Sequence, residues 1–130
     1  MSYLVDTDVL VDVSRGNRAA IAYVDSLNND WALSAMTALE FIAGAKNQRE
    51  VGLIDRLIEV YETIPVDAAI GRRAYDLLKE YAGSHGLRTF DSLIAATAMH
   101  ERRTLVTRNR KHFEMIIGLT INVPDFYWRT

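Results

Sequence analysis

Short apolar runs alternate along the chain with longer segments in which apolar residues recur every three or four positions. The runs are continuously apolar, which is typical of strands buried on both faces of a parallel sheet. Alternation of such strands with helices indicates an α/β protein in which helices cover both faces of the sheet. The predicted strands are 3–5, 31–33, 63–66, 104–107 and 119–122.

The segments with helical spacing are predicted to form the helices that connect these strands. Asp67 is expected to be the N-cap of the longest helix, and Gly83 its C-terminal cap. No proline- or serine-rich linker and no internal repeat interrupts the pattern, so residues 1–130 are expected to form a single domain. The predicted helices are 9–13, 19–27, 36–45, 50–61, 68–82 and 89–100.

The amino-acid composition excludes several kinds of functional site and segment. The chain has 130 residues and no cysteine, which excludes disulfides, cysteine-based zinc sites and a thiol nucleophile. The first acid is already Asp6 and no basic start precedes it, so neither a signal peptide nor a membrane span is expected at the N-terminus. A cysteine-free chain of this kind is expected in the cytoplasm.

The charge is unevenly distributed. A net charge of −2 argues against binding nucleic acid through a bulk positive field. However, residues 1–46 carry six acids and three bases, whereas residues 102–111 carry five bases and no acid. Such a basic run is either a solvated face or a track for a phosphodiester backbone, and Arg108, Arg110 and Lys111 are the candidates for contacts with RNA.

Two polar residues come just after predicted strands, Asp6 and Asn109, and two lie near the starts of helices, Glu40 after the strand 31–33 and Asp91 in the first turn of the helix 89–100. Ligands of α/β sheets bind beyond the carboxyl ends of the strands, so all four are expected at one edge. Three carboxylates at one place repel each other unless a cation lies between them, and oxygen ligands suit Mg²⁺ or Mn²⁺. The pattern therefore predicts a metal site.

Each of these acids also has a local structural interpretation. Asp6 could simply begin a turn or cap a helix. Asp91 could do no more than stabilise the N-terminus of its own helix through the helix macrodipole. Glu40 follows Thr37 with the spacing of a capping box, in which its carboxylate would bond the Thr37 N–H. Asp8 and Asp12 are interpreted mainly as a helix start and a solvated helical face, although Asp8 is near enough to Asp6 for an outer shell.

Other catalytic patterns are missing from the sequence. It has no Gly-x-Ser-x-Gly elbow and no glycine-rich phosphate loop. Its three histidines, His85, His100 and His112, lack metal-ligand spacing, and His85 is expected in a turn as a packed or solvated residue.

The order and spacing of several short motifs closely resemble the PIN-domain ribonucleases, and among them the VapC toxins of toxin–antitoxin pairs. The resemblance rests on four segments: 4–10, 34–41, 85–98 and 105–113. It implies a PIN-like (Rossmann-like) three-layer fold with a twisted, mostly parallel sheet, and endonucleolytic cleavage of RNA with Mg²⁺ or Mn²⁺.

The resemblance also assigns roles to residues. Asp6, Glu40 and Asp91 match the three catalytic, metal-binding acids of the family. Asn109 stands at a fourth catalytic position that is often aspartate, which weakens the case for a second tightly held metal ion. The hydroxyls matching supporting positions are those of Thr7 and Thr107.

Partners follow from the same resemblance. It implies a transfer or ribosomal RNA substrate, and a small VapB-like antitoxin whose C-terminal segment covers the acidic site. It also implies a homodimer formed through the helices between residues 36 and 61. The apolar residues of these helices permit an interface, but two buried core helices would give the same spacing.

Two rival functions remain. The segment Asp6-Thr7-Asp8 imitates the strand-ending motif of haloacid-dehalogenase-type phosphatases, but that chemistry needs a lysine after a later strand, where this chain has Thr107-Arg108-Asn109. The second rival is a PIN-like module that binds RNA or a partner without catalysis. The presence of all three acids argues against a non-catalytic module. The amide at position 109, Asn109, leaves that alternative open.

Overall fold

The computed structural model describes residues 2–128. These residues form five strands, seven α-helices and one short 3₁₀ helix. In chain order the elements are β1 (Tyr3–Val5), α1 (Thr7–Ser14), α2 (Arg18–Ser26), β2 (Trp31–Ser34), α3 (Ala35–Ala43), α4 (Gln48–Val60), β3 (Glu62–Ile64), α5 (Ala68–His85), α6 (Thr89–His100), β4 (Thr104–Val106), α7 (Arg110–Phe113), β5 (Ile121–Asn122) and the 3₁₀ helix (Asp125–Tyr127).

The strands form one sheet in the order β3-β2-β1-β4-β5, and every neighbouring pair is parallel. Strand β1 is central: Leu4 lies opposite Ala32 on one side and Leu105 on the other. The chain reverses its direction of winding at β1, and the carboxyl end of such a strand is where α/β proteins bind ligands. The predicted α/β fold with a parallel sheet is confirmed.

Two apolar cores cover the two faces of the sheet. Successive strand residues point to opposite faces. Leu4 therefore packs with Leu105 and Ile94 in one core, while Val5 packs with Leu33 in the other. All five of these side chains are 0–2% exposed. The two cores make the three-layer arrangement and hold the strand ends rigidly in place.

The two ends of α5 show one predicted cap that is correct and one that is wrong. Asp67 is the N-cap of α5 as expected, and its carboxylate accepts a hydrogen bond from the Ile70 N–H at 2.9 Å. The predicted cap at Gly83 is wrong, because α5 continues to His85 and ends at Gly86. Gly86 has φ 70°, a left-handed conformation that glycine adopts without a Cβ penalty, and this makes it the cap.

Elsewhere the predicted element ends differ from the observed ones by at most two residues; strand β3, for example, is Glu62–Ile64, so residues 65 and 66 lie outside it. The last strand is shorter than expected and contains only Ile121 and Asn122, so residues 119 and 120 lie outside it. Helix α7 and the 3₁₀ helix carry too few apolar repeats to be seen as periodic. No helix in residues 2–128 combines the length and the apolar composition needed to cross a bilayer.

Candidate active site

Asp6 lies at the centre of the site. It follows β1 and is the N-cap of α1, so the helix-cap interpretation is correct but incomplete. Its Oδ1 accepts a hydrogen bond from the Thr7 N–H and its Oδ2 one from the Thr107 hydroxyl, both at 2.8 Å. The residue is only 6% exposed. Two different strand ends, those of β1 and β4, therefore hold this carboxylate in one orientation.

Glu40 is tied to the same place through Thr7. The Thr7 hydroxyl donates to Glu40 Oε1 at 2.7 Å and hydrogen-bonds the buried Thr37 hydroxyl at 3.0 Å. The capping-box interpretation of Glu40 is wrong. Helix α3 begins one turn earlier than that interpretation needs, and Ser34 is its N-cap, accepting from the Met36 and Thr37 N–H groups.

Asn109 reaches the site through Asp8. Its Nδ2 donates to Asp8 Oδ2 at 2.6 Å, and its backbone N–H donates to the Thr107 hydroxyl at 3.1 Å. Thr107 thus accepts from Asn109 while donating to Asp6. The Asp8 side chain is 13% exposed, and its Oδ1 is buried without a hydrogen-bond partner among residues 2–128. Asp8 therefore belongs to the site more directly than the sequence indicated.

Asp12 is not on a solvated face. Its side chain is 13% exposed, and both of its carboxylate oxygens lie 3.3 Å from Arg108 Nη1. The Tyr127 hydroxyl donates to Asp12 Oδ2 at 2.7 Å, and burial together with the Asp12 carboxylate raises the pKa of that phenol. The solvated interpretation of Asp12 is wrong because Arg108, two residues after β4, and Tyr127 of the C-terminal 3₁₀ helix both contact its carboxylate.

Asp91 enters from the first turn of α6, and its side chain is 15% exposed. Its Oδ2 lies 3.4 Å from His112 Nδ1 and 3.9 Å from Arg88 Nε. Burial raises the pKa of Asp91, while His112 and Arg88 act in the opposite direction. His112 is the residue that sequence spacing missed, because it approaches Asp91 from a helix twenty-one positions further along the chain.

The electrostatics show that negative charge is concentrated here. Burial and then the Asp8 carboxylate raise the pKa of Asp6 to about 8, and the charge of Asp91 adds to the effect. Burial likewise raises the pKa of Asp8, against the stabilising Arg108 guanidinium and the N–H groups of Val9 and Arg108. Without a cation Asp6 therefore keeps its proton in neutral solution, and ionising these carboxylates together calls for positive charge between them.

This donor set fits a hard divalent cation. Its ligands are carboxylate oxygens, the ones that Mg²⁺ and Mn²⁺ prefer, and one buried oxygen, Asp8 Oδ1, lacks a partner. The protein ligands are not yet close enough to surround one ion, however. Within residues 2–128, no three Asp, Glu, His or Cys side chains lie at mutual metal-binding distances. Glu40 is turned toward Thr7, so it would act on a bound ion through that hydroxyl or through water.

The basic residues of segment 102–111 lie in different environments. Arg103 is engaged with Glu62 at 3.2 Å and with the Tyr3 carbonyl, and Arg108 with Asp12. Arg110 lies over the Trp128 ring at 5.5 Å from its centroid. Lys111 has no carboxylate within ion-pairing distance in the part of the chain that the structure describes.

Comparison with known families gives one match over most of the chain. The model of the family described as "PIN domain" matches residues 3–116. Among curated proteins, "Ribonuclease VapC10" of Mycobacterium tuberculosis (strain ATCC 25618 / H37Rv) is 38% identical over 117 residues, covering 86% of each chain. "Ribonuclease VapC19" of the same strain is 33% identical over 120 residues, covering 89% of this chain and 95% of the relative.

The fold is shared with solved structures. A chain of a "Toxin-antitoxin complex from Klebsiella pneumoniae" superposes with a TM-score of 0.82 at 30% identity, covering 95% of this chain and 98% of the other. The similarity therefore extends over nearly the whole length of both chains and includes all the strand ends that form the candidate site.

Proposed function

This chain belongs to the PIN-domain family, with VapC ribonucleases among its relatives, and on that premise we propose that it is a divalent-metal-dependent endoribonuclease. It acts as the toxin of a VapBC-type pair and hydrolyses phosphodiester bonds of a structured RNA, with transfer or ribosomal RNA as the substrate class. The predicted resemblance to this family is confirmed by the matches over residues 3–116.

One observation carries the proposal: a buried carboxylate that is held rigidly and lacks charge compensation. Asp6 is fixed by hydrogen bonds from Thr7 and Thr107, and its pKa is raised to about 8 by burial and by neighbouring carboxylates. Keeping such a group costs stability, and perturbed carboxylates of this kind cluster at functional sites. A purely structural helix cap would not need this surplus of negative charge.

In the proposed mechanism Asp6 and Asp91 bind the metal, and Glu40 takes part directly or through a water. A bound divalent ion supplies Lewis acidity, lowering the pKa of water and neutralising charge that develops on phosphate. Thr7 and Thr107 orient the carboxylates of Glu40 and Asp6.

Outside the proposed metal ligands, Asn109 Nδ2 donates to Asp8, and the Asp8 carboxylate adds negative charge beside Asp6. The amide of Asn109 contributes no charge of its own, so the proposed site holds one ion more strongly than two.

The partners belong to the same proposal. A VapB-like antitoxin covers the acidic site with its C-terminal segment, and the protein works in the cytoplasm. Helices α3 and α4 are proposed to form the homodimer. Their exposed apolar residues support this, since Leu39 is 58% and Leu53 51% exposed.

The deciding experiment incubates the purified protein with total transfer RNA and ribosomal RNA in Mn²⁺, in Mg²⁺ and in excess chelator. We expect discrete cleavage products with either metal and none with chelator. A phosphomonoester is tested in parallel: release of inorganic phosphate from it, without RNA cleavage, would assign the chain to phosphatase chemistry. RNA binding without any cleavage would assign it to the non-catalytic alternative and overturn the proposal.

Thr7 provides a test of how Glu40 is positioned. Replacing Thr7 by valine keeps the shape of the side chain and removes the hydroxyl that donates to Glu40 Oε1. We expect the cleavage rate to fall about tenfold or more, as for residues that orient metal ligands. Thr7→Ser, which retains the hydroxyl, should restore most of the rate. Equal rates in the valine and serine variants would show that the hydrogen bond has no part in catalysis.

A further inference from the structure

A small cavity opens beside Asp91, on the side where α5 ends and α6 begins. Its volume is about 180 Å³. The lining residues are His85, Gly86, Leu87, Arg88, Asp91, Lys111 and His112. Asp91 connects this cavity to the candidate active site, because it lines the cavity and its charge also acts on Asp6. Asp6 itself is not part of the lining.

The lining has an excess of positive charge. Arg88 and Lys111 carry two permanent charges against the single carboxylate of Asp91, and two imidazoles complete the wall. Arg88 is held loosely, since its Nε lies 3.9 Å from Asp91 Oδ2 and its side chain is 77% exposed. Lys111 forms no ion pair within residues 2–128. Lys111 is therefore unpaired among residues 2–128 and Arg88 forms only one long, exposed ion pair, so both cations are available to bind an anion here.

The other bases near the site are engaged more closely than Arg88 and Lys111. Arg108 forms an ion pair with Asp12 and lies 4.0 Å from Asp8. The guanidinium of Arg110 lies over the Trp128 ring. A guanidinium binds phosphate through a planar pair of N–H groups, and an ammonium binds it as a point charge. The combination of Arg88 and Lys111 around a cavity of this size fits one phosphodiester group.

We propose that this cavity is a subsite for a non-scissile phosphodiester of single-stranded RNA, adjacent to the phosphate that is cleaved. The inference rests on the proposed nuclease function and adds a position to it. Arg88 and Lys111 bind the phosphate oxygens, and His112 lies between that phosphate and Asp91 Oδ2, 3.4 Å from the latter. A phosphate bound in this subsite guides the RNA strand across α7 and presents the neighbouring phosphate to Asp6 and Asp91.

The test measures binding without catalysis. A fluorescein-labelled single-stranded oligoribonucleotide is titrated in excess chelator, by fluorescence anisotropy, at several salt concentrations. The test variant is Arg88→Gln/Lys111→Gln. The matched control is Arg72→Gln/Arg73→Gln, which removes the same charge from two exposed positions on α5. Gel analysis verifies that the oligonucleotide stays intact, and circular dichroism verifies that both variants are folded.

We expect the test variant to bind about tenfold more weakly than the control. The slope of log K against log salt should fall in magnitude by about 0.7 or more, as for at least one lost phosphate contact on a single strand. Equal affinities of the two variants, or a weaker affinity with an unchanged salt slope, would overturn the proposal. So would absence of binding by the wild type. Binding of inorganic phosphate that depends on Arg88 and Lys111, combined with equal RNA affinities of the two variants, would assign the cavity to a free phosphate instead.

Cleavage assays separate this proposal from the function on which it rests. Absence of cleavage by the wild type in Mn²⁺, combined with binding that depends on Arg88 and Lys111, would reject the nuclease and support the subsite. Normal cleavage combined with equal binding of the two variants would reject the subsite alone. If the nuclease and the subsite are both correct, the test variant should raise KM for RNA by a larger factor than it lowers kcat.

Discussion

Asp6→Asn is expected to abolish RNA cleavage and, at the same time, to make the folded protein more stable. Cleavage should fall by more than about 100-fold, because the variant loses a charged metal ligand at the centre of the site. Stability should rise because the charged form of Asp6 is disfavoured by burial and by Asp8, which raise its pKa to about 8. A gain of about 1 kcal/mol corresponds to roughly 4 °C in Tm for a chain of this size.

The hydrogen bonds around Asp6 permit this substitution. Asparagine Oδ1 can still accept from the Thr7 N–H, and its Nδ2 can donate to the Thr107 hydroxyl, which rotates to accept. Loss of activity through misfolding is therefore not expected. Thermal unfolding in chelator and cleavage in Mn²⁺ are the two measurements.

Asp67→Asn is the matched control for Asp6→Asn. Asp67 is also a helix N-cap that accepts from a backbone N–H, but its side chain is 56% exposed and lies outside the site. Asparagine caps helices about as well as aspartate. We expect its cleavage rate and Tm to match the wild type. Substantial activity in folded Asp6→Asn, or a Tm below that of the wild type, would contradict the assigned role of Asp6.

Stability without divalent ions is expected to fall as pH rises from about 4 to about 8. An unfolded aspartate has a pKa of about 3.9, whereas the folded pKa of Asp6 is raised to about 8, so over this range the folded state binds the extra proton. Folding is favoured at the low-pH end and loses this contribution as Asp6 ionises. The raised pKa values of Asp8 and Asp91 act in the same direction.

Divalent ions should reverse this trend, because they bind the ionised carboxylates. At a Mn²⁺ concentration about 100-fold above the dissociation constant, binding stabilises the folded state by about 2.7 kcal/mol, or roughly 10 °C in Tm. The gain should be larger at pH 8 than at pH 5. Differential scanning fluorimetry at a series of pH values, in chelator and in Mn²⁺, measures both effects.

Asp6→Asn again provides the control in these scans. We expect a flatter dependence of Tm on pH in chelator and little response to Mn²⁺. A wild-type Tm that rises between pH 5 and pH 8 in chelator would contradict the raised pKa of Asp6. A Mn²⁺ response that persists in Asp6→Asn would place the metal elsewhere.

Local patterns were sufficient for much of the fold. Continuous apolar runs located all five strands of the described chain to within two or three residues, because a strand buried on both faces admits few polar side chains. Asp67 can be predicted as an N-cap because its hydrogen bond reaches only three residues along the chain. The C-terminal cap of α5 cannot be predicted in the same way, since Gly83 and Gly86 both suit a cap and only the backbone conformation distinguishes them.

The sequence by itself determined that Asp6 lies at the carboxyl end of β1, since the strand pattern and the position of Asp6 directly after it are local properties. Tertiary structure decided what Asp6 and the other acids contact. Glu40 bonds Thr7 rather than its own helix, and Asp12 pairs with Arg108 across ninety-six positions. The tertiary structure also pairs Arg108 with Asp12 and leaves Lys111 without an ion-pair partner among residues 2–128. The physical reason is that charge pairing depends on distance in space, which chain packing sets and sequence separation does not reveal.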